Sequence, residues 1–555
     1  MTVAGEVERQ VKRQVKRQVK RQVKRHGKHY TPPALANFLA GRLLAQVEGP
    51  RLRVLDPACG DGELLLALAR TAGGSGPPLE LVGYDLDPAA LELARRRAAA
   101  DGVPVDLHLG DFLDLARDLE PGSFDAVISN PPYVRTQQLG REAAQVLASR
   151  FGLSGRIDLT HPFVTLMPAL LRHGGALALL CSNRFLSTRS GANVRAVLEA
   201  DLPVAELYDL GDTRLFAASV LPAVVIARKG ARPPEPTFVT AYADPTATPT
   251  TERSLYEALA TGDATVAQEG RAVVVRHGVL AVQGPGAPWR QSRPGEDAWL
   301  ERLGAATWKT FGEVARIRVG IKTTADPVFI ADDWSGPDAP ERALLRPLIT
   351  HEDVTPWRVS TDLPRRVLYP YDLSAPTRRP VDLAAYPRAA AYLESHADRL
   401  RARRYVTAAG REWFELWVPH RPAGWAAPKI VFPDISVEPR FALDTSGAVV
   451  NGDCYWISTD DLAPGPDGEN LAYLMLAVAN SRLAVRFYDG VCGNRLYAGR
   501  RRWMTQYVAR FPLPDPARPA SRALTDAVRD RLAQGGLPSS PALEPLVEAA
   551  FELRA

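Results

Sequence analysis

Between residues 51 and 229 short apolar runs of six to nine residues recur, each followed by a longer stretch rich in Ala and Leu. The runs are Arg51–Asp56, Leu79–Asp85, Val105–Gly110, Phe124–Asn130, Gly175–Asn183, Val204–Gly211 and Leu221–Lys229. Continuous apolar runs alternating with helical stretches predict an α/β fold, a doubly wound, mostly parallel seven-stranded sheet covered on both faces. Such sheets bind ligands beyond the carboxyl ends of their strands. Each distinctive motif of this chain falls at one of those ends.

The texture then changes. "ARPPEPTF" breaks the alternation, and residues 231–304 read as an irregular, Pro-rich connecting region. Residues 305–516 carry short strand-like runs, many aromatics and scattered arginines, as in "VLYPYD" and "PKIVFPDIS", which predicts a separate α+β module. Residues 517–555 read as one or two helices. With 555 residues, 46% of them hydrophobic, the chain can bury more than one core. No apolar run approaches the roughly 18 to 20 residues that cross a bilayer, and no hydrophobic segment follows the basic N-terminus, so a cytoplasmic protein is expected. Cys59, Cys181, Cys454 and Cys492 form no CxxC or His/Cys cluster, and reduced, buried thiols with no structural metal are expected.

Net charge alters this picture only at one end. Residues 1–28 contribute +8 of the total +5, leaving −3 for the rest. This arm is a tetrapeptide repeat of the form VKRQ from Val7 to Arg25. Valine at every fourth position drifts by about 40° per repeat around a helix of 3.6 residues per turn, so no fixed apolar stripe forms. The repeat reads either as a solvated arm attracted to phosphates or as a slipped repeat without function. Any nucleic-acid site in the body must be a local patch.

The first candidate site is "VLDPACGDGELLLALA", a strand, a glycine-bearing turn and a helix. Gly60 and Gly62 let the backbone approach a ligand, and Asp56 ends the strand with a carboxylate suited to an ammonium group. The dinucleotide pattern GxGxxG is absent, and Asp56 with Asp61 would repel a pyrophosphate. "LVGYDLDP" places Asp85 where a carboxylate can accept ribose hydroxyls, and "LGDFLDL" places Asp111 near an adenine amino group with Phe112 for its face. Acids at strand ends also serve as helix N-caps, as Asp87 would. In this order at successive strand ends, they point to S-adenosylmethionine.

"SNPPYV" ends the fourth strand. Two prolines hold an extended backbone, so the Asn130 side-chain oxygen and the Pro131 carbonyl can aim at one amino group. An exocyclic amine is a poor nucleophile because its lone pair is conjugated with the ring. Accepting both N–H bonds favours a pyramidal nitrogen that can attack a sulfonium methyl, and the product ammonium is acidic enough to need no strong base. Asn130, Pro131, Pro132 and Tyr133 are therefore the candidate catalytic residues, with Tyr133 as a shelf for an extruded base.

These motifs, with "HYTPPALANFLA" before them and "GDTRLFAASVLPAVVIARK" after them, resemble the gamma-class, TaqI-type N6-adenine DNA methyltransferases. "WKTFGEVARIRVGIKTTADPVFI" and "ANSRLAVRFY" resemble their specificity domain. The resemblance implies a class I methyltransferase sheet over residues 29–230 and a target-recognition domain over 305–516. It implies that Tyr30, Thr31, Asp56, Pro57, Ala58, Cys59, Gly60, Gly62, Asp85, Leu86, Asp111, Phe112 and Asn130 line the cofactor, with Thr31 at its methionine end. It also implies that Phe216 packs with Tyr133 against the flipped adenine. The expected partner is double-stranded DNA, alongside a separately encoded restriction endonuclease, and the expected state is a monomer. Lys322, Thr323, Thr324, Arg500, Arg501, Arg502 and Trp503 are DNA-contact candidates. The same tetrapeptide can serve N4-cytosine, an RNA base or a protein glutamine, and a DNA-binding subunit with dead chemistry is the non-enzymatic alternative. The long carboxyl-terminal module and the intact tetrapeptide favour the DNA enzyme.

Overall fold

The computed structural model describes residues 30–553 except 74–75, 134–140, 216–220, 231, 283, 285, 376 and 494. The VKRQ arm and Phe216 lie outside the described residues. The chain divides into two units, the first running to Pro294 with Leu496–Gly499, the second comprising Gly295–Arg495 and the residues from Arg500 on.

The first unit is built on β1 (Leu52–Asp56), β2 (Leu79–Asp85), β3 (Val105–Leu109), β4 (Phe124–Ser129), β5 (Leu171–Ser182), β6 (Val204–Asp209) and β7 (Pro222–Arg228). Their order across the sheet is β3-β2-β1-β4-β5-β7-β6, with β7 antiparallel to both neighbours. Neighbouring residues along a strand enter different cores. Val54, Ala126, Ala178 and Val224 join one cluster, whereas Leu55, Val127, Leu177 and Val225 join another. That alternation is the two-faced burial that the continuous apolar runs predict. Helices α1 (Pro33–Leu44) and α2 (Glu63–Ala72) contribute Leu35, Leu39, Leu65 and Leu68 to the first cluster. Helices Arg141–Phe151, Thr160–Leu170 and Ala192–Ala200 contribute Leu147, Val164 and Leu198 to the second.

The sheet does not stop at seven strands. Residues 231–304, expected to be irregular, contain β8 (Thr237–Ala243), β9 (Ala264–Gln268), β10 (Arg271–Val282) and β11 (Trp289–Ser292). β8 runs parallel to β6, and β10 pairs antiparallel with β8, β9 and β11, which makes one eleven-stranded sheet. The expectation of a mostly parallel sheet is corrected to a mixed one. Val239, Val273 and Val275 extend one apolar cluster and Phe238, Leu280 and Trp289 the other. These strands hold because they continue both cores outward.

The second unit is α+β. A five-stranded sheet places Lys429–Pro433 between Cys454–Ser458 and Ala442–Asp444, and a separate four-stranded sheet centres on Leu345–Ile349 and Arg366–Leu368. Helices Pro466–Ala479, Arg482–Val491, Pro519–Ala533 and Ser540–Ala550 share one core with the first sheet through Leu474, Tyr488, Leu524 and Val547. The last two helices are therefore part of this core. Lys429 and Asp444 form a fully buried ion pair at 2.7 Å, Lys429 also donating to the Trp425 carbonyl. No helix among the described residues is long and apolar enough to cross a membrane.

Candidate functional site

Four strand ends meet two loops at the carboxyl edge of the sheet in the first unit. Asp56 closes β1 and is 0% exposed. Its Oδ1 accepts from the Ala58 amide at 3.1 Å, while Oδ2 is buried without a hydrogen-bond partner. Burial, with smaller contributions from Asp85 and Asp61, pushes its pKa up to about 8 against the opposing Ala58 hydrogen bond. A buried acceptor of this kind is costly unless a donor meets it. Its orphaned oxygen fits an ammonium group brought by a ligand.

The turn after Asp56 is shaped for close approach. Gly60 and Gly62 have φ of +54° and +82°, in the left-handed region where side chains are strained. A Cβ on Gly60 would sit 3.4 Å from the Tyr30 ring, and one on Gly62 would sit 3.1 Å from the Ala94 Cβ. Gly62 leads into α2. Pro57 and Cys59 are buried, and burial raises the Cys59 thiol pKa, so it stays protonated. All four cysteines are free and buried. Asp61 does not add a free charge here, because it pairs with Arg97, which also binds Glu63.

Asp85 closes β2. Its Oδ2 accepts from the Gly60 amide at 2.9 Å and its Oδ1 from the Asp87 amide at 2.8 Å, so this carboxylate ties the glycine turn to the second strand. Leu86 beside it is exposed. Asp87 caps helix α3 (Pro88–Ala100) through the Ala89 amide at 3.0 Å. Asp111 caps the one-turn helix Phe112–Leu115 through the Leu113 amide at 3.1 Å. Phe112 differs from expectation: it is 2% exposed, stacked on Phe163 and edge-on to Tyr84, so little of its ring remains open to an adenine.

Asn130 follows β4. Its Nδ2 donates to Thr31 Oγ1 at 3.1 Å, and its Oδ1 lies 2.6 Å from the Tyr133 hydroxyl. That hydroxyl also lies 3.1 Å from the Leu180 carbonyl on β5. Burial raises the Tyr133 pKa well above the phenol value, so it remains a neutral hydroxyl at any working pH. The Pro132 carbonyl accepts from Thr160 Oγ1 at 3.4 Å. The loop Asn130–Tyr133 is thus held from three elements. Tyr30 against Gly60 and Thr31 against Asn130 are adjacent residues, so one short segment joins the glycine turn to the tetrapeptide. Sequence reading misses Thr160 and Leu180, because a carbonyl or a lone hydroxyl leaves no motif. It also misses Tyr242 of β8, whose hydroxyl donates to Asp209 at the end of β6 at 2.5 Å, beside Asn183 at 2.9 Å from the same carboxylate.

The DNA-contact candidates of the second unit separate by burial. Trp503 is 0% exposed, with Nε1 on Ser436 at 2.7 Å, and is corrected from a stacking candidate to a core residue. Thr323 is likewise buried, its hydroxyl bonded to Asp326 and accepting from the Ala325 amide. Arg501 is held by Asp489 and Arg502 by Asp434, which ties both to the fold. Arg500, Lys322 and Thr324 remain exposed. No group of three or more His, Cys, Asp and Glu among the described residues is arranged to hold a metal ion.

Residues 54–150 match the methyltransferase domain family, and residues 106–216 match the Eco57I restriction-modification methylases. The chain is 35% identical over 545 residues to the Type II methyltransferase M.BanIII of Aneurinibacillus aneurinilyticus, across 92% of this chain and 93% of that protein. The chain belongs to the Type II methyltransferases. It is also 27% identical over 532 residues to the Type II methyltransferase M.XhoI of Xanthomonas vasicola, across 89% and 91% of the two chains. The solved structure of the Type IIL restriction-modification enzyme MmeI in complex with DNA shares the fold, with a TM-score of 0.59 at 14% identity over 94% of this chain and 72% of that one. For a Type II methyltransferase on a class I sheet, S-adenosylmethionine is the methyl donor. Asp56 with its orphaned oxygen, the Gly60–Gly62 turn and Asp85 fit that group.

Proposed function

We propose that this Type II methyltransferase is a TaqI-like, gamma-class DNA methyltransferase that methylates N6 of an adenine extruded from the duplex, as the modification component of a restriction-modification or phage-defence system. The observation that carries the reading is that Asn130 follows β4, next in the sheet to β1, which ends in the buried, unsatisfied Asp56 carboxylate. The donor supplies an electrophilic methyl on a sulfonium. Asn130 Oδ1 and the Pro131 carbonyl accept the two amine hydrogens and turn the nitrogen lone pair toward that methyl. When bound, the donor would supply its methyl to that nitrogen and keep the electron pair on sulfur, and the amine would lose one proton to water. Tyr133 supplies the aromatic face on which the base rests. Base stacking is worth about 1 to 3 kcal/mol, so Tyr133→Ala is expected to lower kcat/KM by roughly 10- to 100-fold. Tyr133→Phe keeps the ring and is expected to stay within about fivefold of the parent; a tritiated-methyl transfer assay on DNA compares them.

In the second unit an exposed basic and aromatic face supports duplex binding. Lys322 and Val418 exchange backbone hydrogen bonds at 3.1 and 3.0 Å, which sets Lys322 next to Trp417. Arg411 lies over the Trp417 ring at 4.9 Å, and Tyr405, 45% exposed, meets the same ring edge-on at 5.1 Å. Beneath it the buried Arg403 donates to the Thr323 and Trp413 carbonyls at 2.7 and 2.8 Å and fixes the turn that carries Lys322 and Thr324. Arg404 is exposed beside Tyr405 and has no carboxylate partner among the described residues. Phosphate neutralisation releases counterions, with a slope in log K against log salt of about 0.9 per contact. Lys322→Ala with Arg404→Ala is therefore expected to weaken DNA binding and to reduce the salt slope by about 2, measured by fluorescence anisotropy across a salt series. An unchanged slope places the phosphates elsewhere.

The experiment that tests the reading is methyl transfer from labelled S-adenosylmethionine to unmethylated DNA, followed by identification of the modified nucleoside. N6-methyladenine supports it. N4-methylcytosine, or label in RNA or protein alone, replaces it.

A further inference from the structure

The amide of Asn130 can present either its oxygen or its NH2 to the site, and only the oxygen can accept from an amine. A half-turn about the last side-chain torsion would set NH2 against the amine, donor against donor. Something must therefore select the orientation. Tyr133 cannot do so alone, because its hydroxyl has one hydrogen and two acceptors in reach, Asn130 Oδ1 at 2.6 Å and the Leu180 carbonyl at 3.1 Å. If that hydrogen goes to Asn130 the phenol suits the amide oxygen, and if it goes to Leu180 the phenol oxygen accepts and suits the NH2, so the hydroxyl fits either orientation.

The other neighbour of the amide is Thr31. It is 6% exposed, its Oγ1 lies 3.1 Å from Asn130 Nδ2, and it follows Tyr30, whose ring covers the Gly60 turn. A threonine hydroxyl is also ambivalent until its own hydrogen is committed. Once it is given to an anion on the cofactor side, the oxygen can only accept, and Nδ2 must face Thr31. Oδ1 then lies against the Tyr133 hydroxyl, with its second lone pair left for the amine.

We propose that Thr31 is a positioning residue that sets the amide of Asn130, so that cofactor occupancy prepares the acceptor for the target amine. This rests on the amine-methylating reading above. Burial strengthens the selection, because a misoriented amide would leave unpaired polar atoms inside the protein. The consequence is a coupling between two binding events that, by linkage, acts equally in both directions. The protein with an empty cofactor site holds the amine weakly, and the loaded protein holds it firmly.

The test uses the full chain, S-adenosylhomocysteine as a non-reactive occupant, and two duplexes carrying the mapped methylation site. One has adenine at the target position and the other has purine, which lacks the amine. In the parent protein and in Thr31→Ser, saturating S-adenosylhomocysteine is expected to raise the preference for the adenine duplex by about tenfold, the effect of one charge-assisted orientation on a hydrogen bond. In Thr31→Val the preference is expected to change less than twofold, with saturation set from the calorimetric Kd of that variant. Single-turnover methylation by Thr31→Val at saturating cofactor is expected to fall by at least tenfold, with Thr31→Ser restoring it. Thr31→Ala replaces the valine variant if the latter melts early. Full coupling in Thr31→Val, or a single-turnover rate that saturating cofactor restores, overturns the proposal and leaves Thr31 as a cofactor contact only. A parent protein that methylates no adenine in DNA overturns the functional reading instead, whatever Thr31 does.

Discussion

Replacing Asn130 with alanine is expected to lower methyl transfer by about 10³-fold, the scale on which removal of a preorganised hydrogen-bonding group acts on kcat. The side chain supplies one of two acceptors that pyramidalise the amine, and the Pro131 carbonyl cannot do this alone. The loss should fall on kcat rather than on the cofactor Kd, because Asn130 engages Thr31 and Tyr133 and leaves the Asp56 carboxylate and the Gly60 turn untouched. Asn130→Asp keeps an acceptor but puts a carboxylate against Thr31 Oγ1, and it should recover only a minor part of the activity. Single-turnover kinetics with a parallel calorimetric titration separates the two quantities. A variant whose rate falls only in proportion to lost cofactor affinity would make Asn130 a binding residue.

The second large effect concerns Asp56. Burial holds this carboxyl protonated up to about pH 8 in the unliganded protein. An ammonium group arriving at the orphaned Oδ2 stabilises the charged form, so binding expels a proton. Affinity for S-adenosylmethionine is therefore expected to rise by up to about tenfold per pH unit from pH 6 toward 8 and then to level off, with up to one proton released to the buffer at pH 7. Asp56→Asn cannot ionise and sets an NH2 against the ammonium. It should bind at least 100-fold more weakly, a margin typical of a lost buried charge pair, and show no proton release. The stability of the unliganded protein moves the opposite way. The folded-state pKa lies above the unfolded value of 3.8, so the native state holds more protons between those values and loses stability as pH rises from about 4 to 8. Asp56→Asn should flatten this fall, measured by thermal melts at pH 6 and 8.

Much of this site is legible in the sequence because its parts end consecutive strands. Asp56, Asp85, Asp111 and Asn130 each follow an apolar run, and the observed strands end at or within two residues of them. What escapes is what depends on distant partners. β8 to β11 are hidden by their flanks, since the prolines of "ARPPEPTF" and the charged "RHG" within β10 mask runs whose burial comes only from β6 and its neighbours. The run Arg500–Trp503 offers DNA-contact candidates by its basic and aromatic side chains. Asp434 and Asp489, 68 and 12 residues away, draw two of its arginines inward, and Ser436 holds its tryptophan. Arg403 belongs to no sequence motif, yet it forms the buried support of the Lys322 turn. Hydrogen bonds between residues far apart in the chain, such as Thr31 to Asn130 across 99 positions, have no local signal at all.

The chemistry of the Asn130–Tyr133 loop acts on DNA in this proposal. The most direct measurement expresses the chain in a bacterial host that lacks its own adenine methylation and maps modified bases along the genomic DNA by single-molecule sequencing. N6-methyladenine is expected at one recurring sequence, present with the parent chain and absent with Asn130→Ala. Unmodified DNA from a host making the folded, cofactor-binding protein, or modification at cytosine N4, would contradict it.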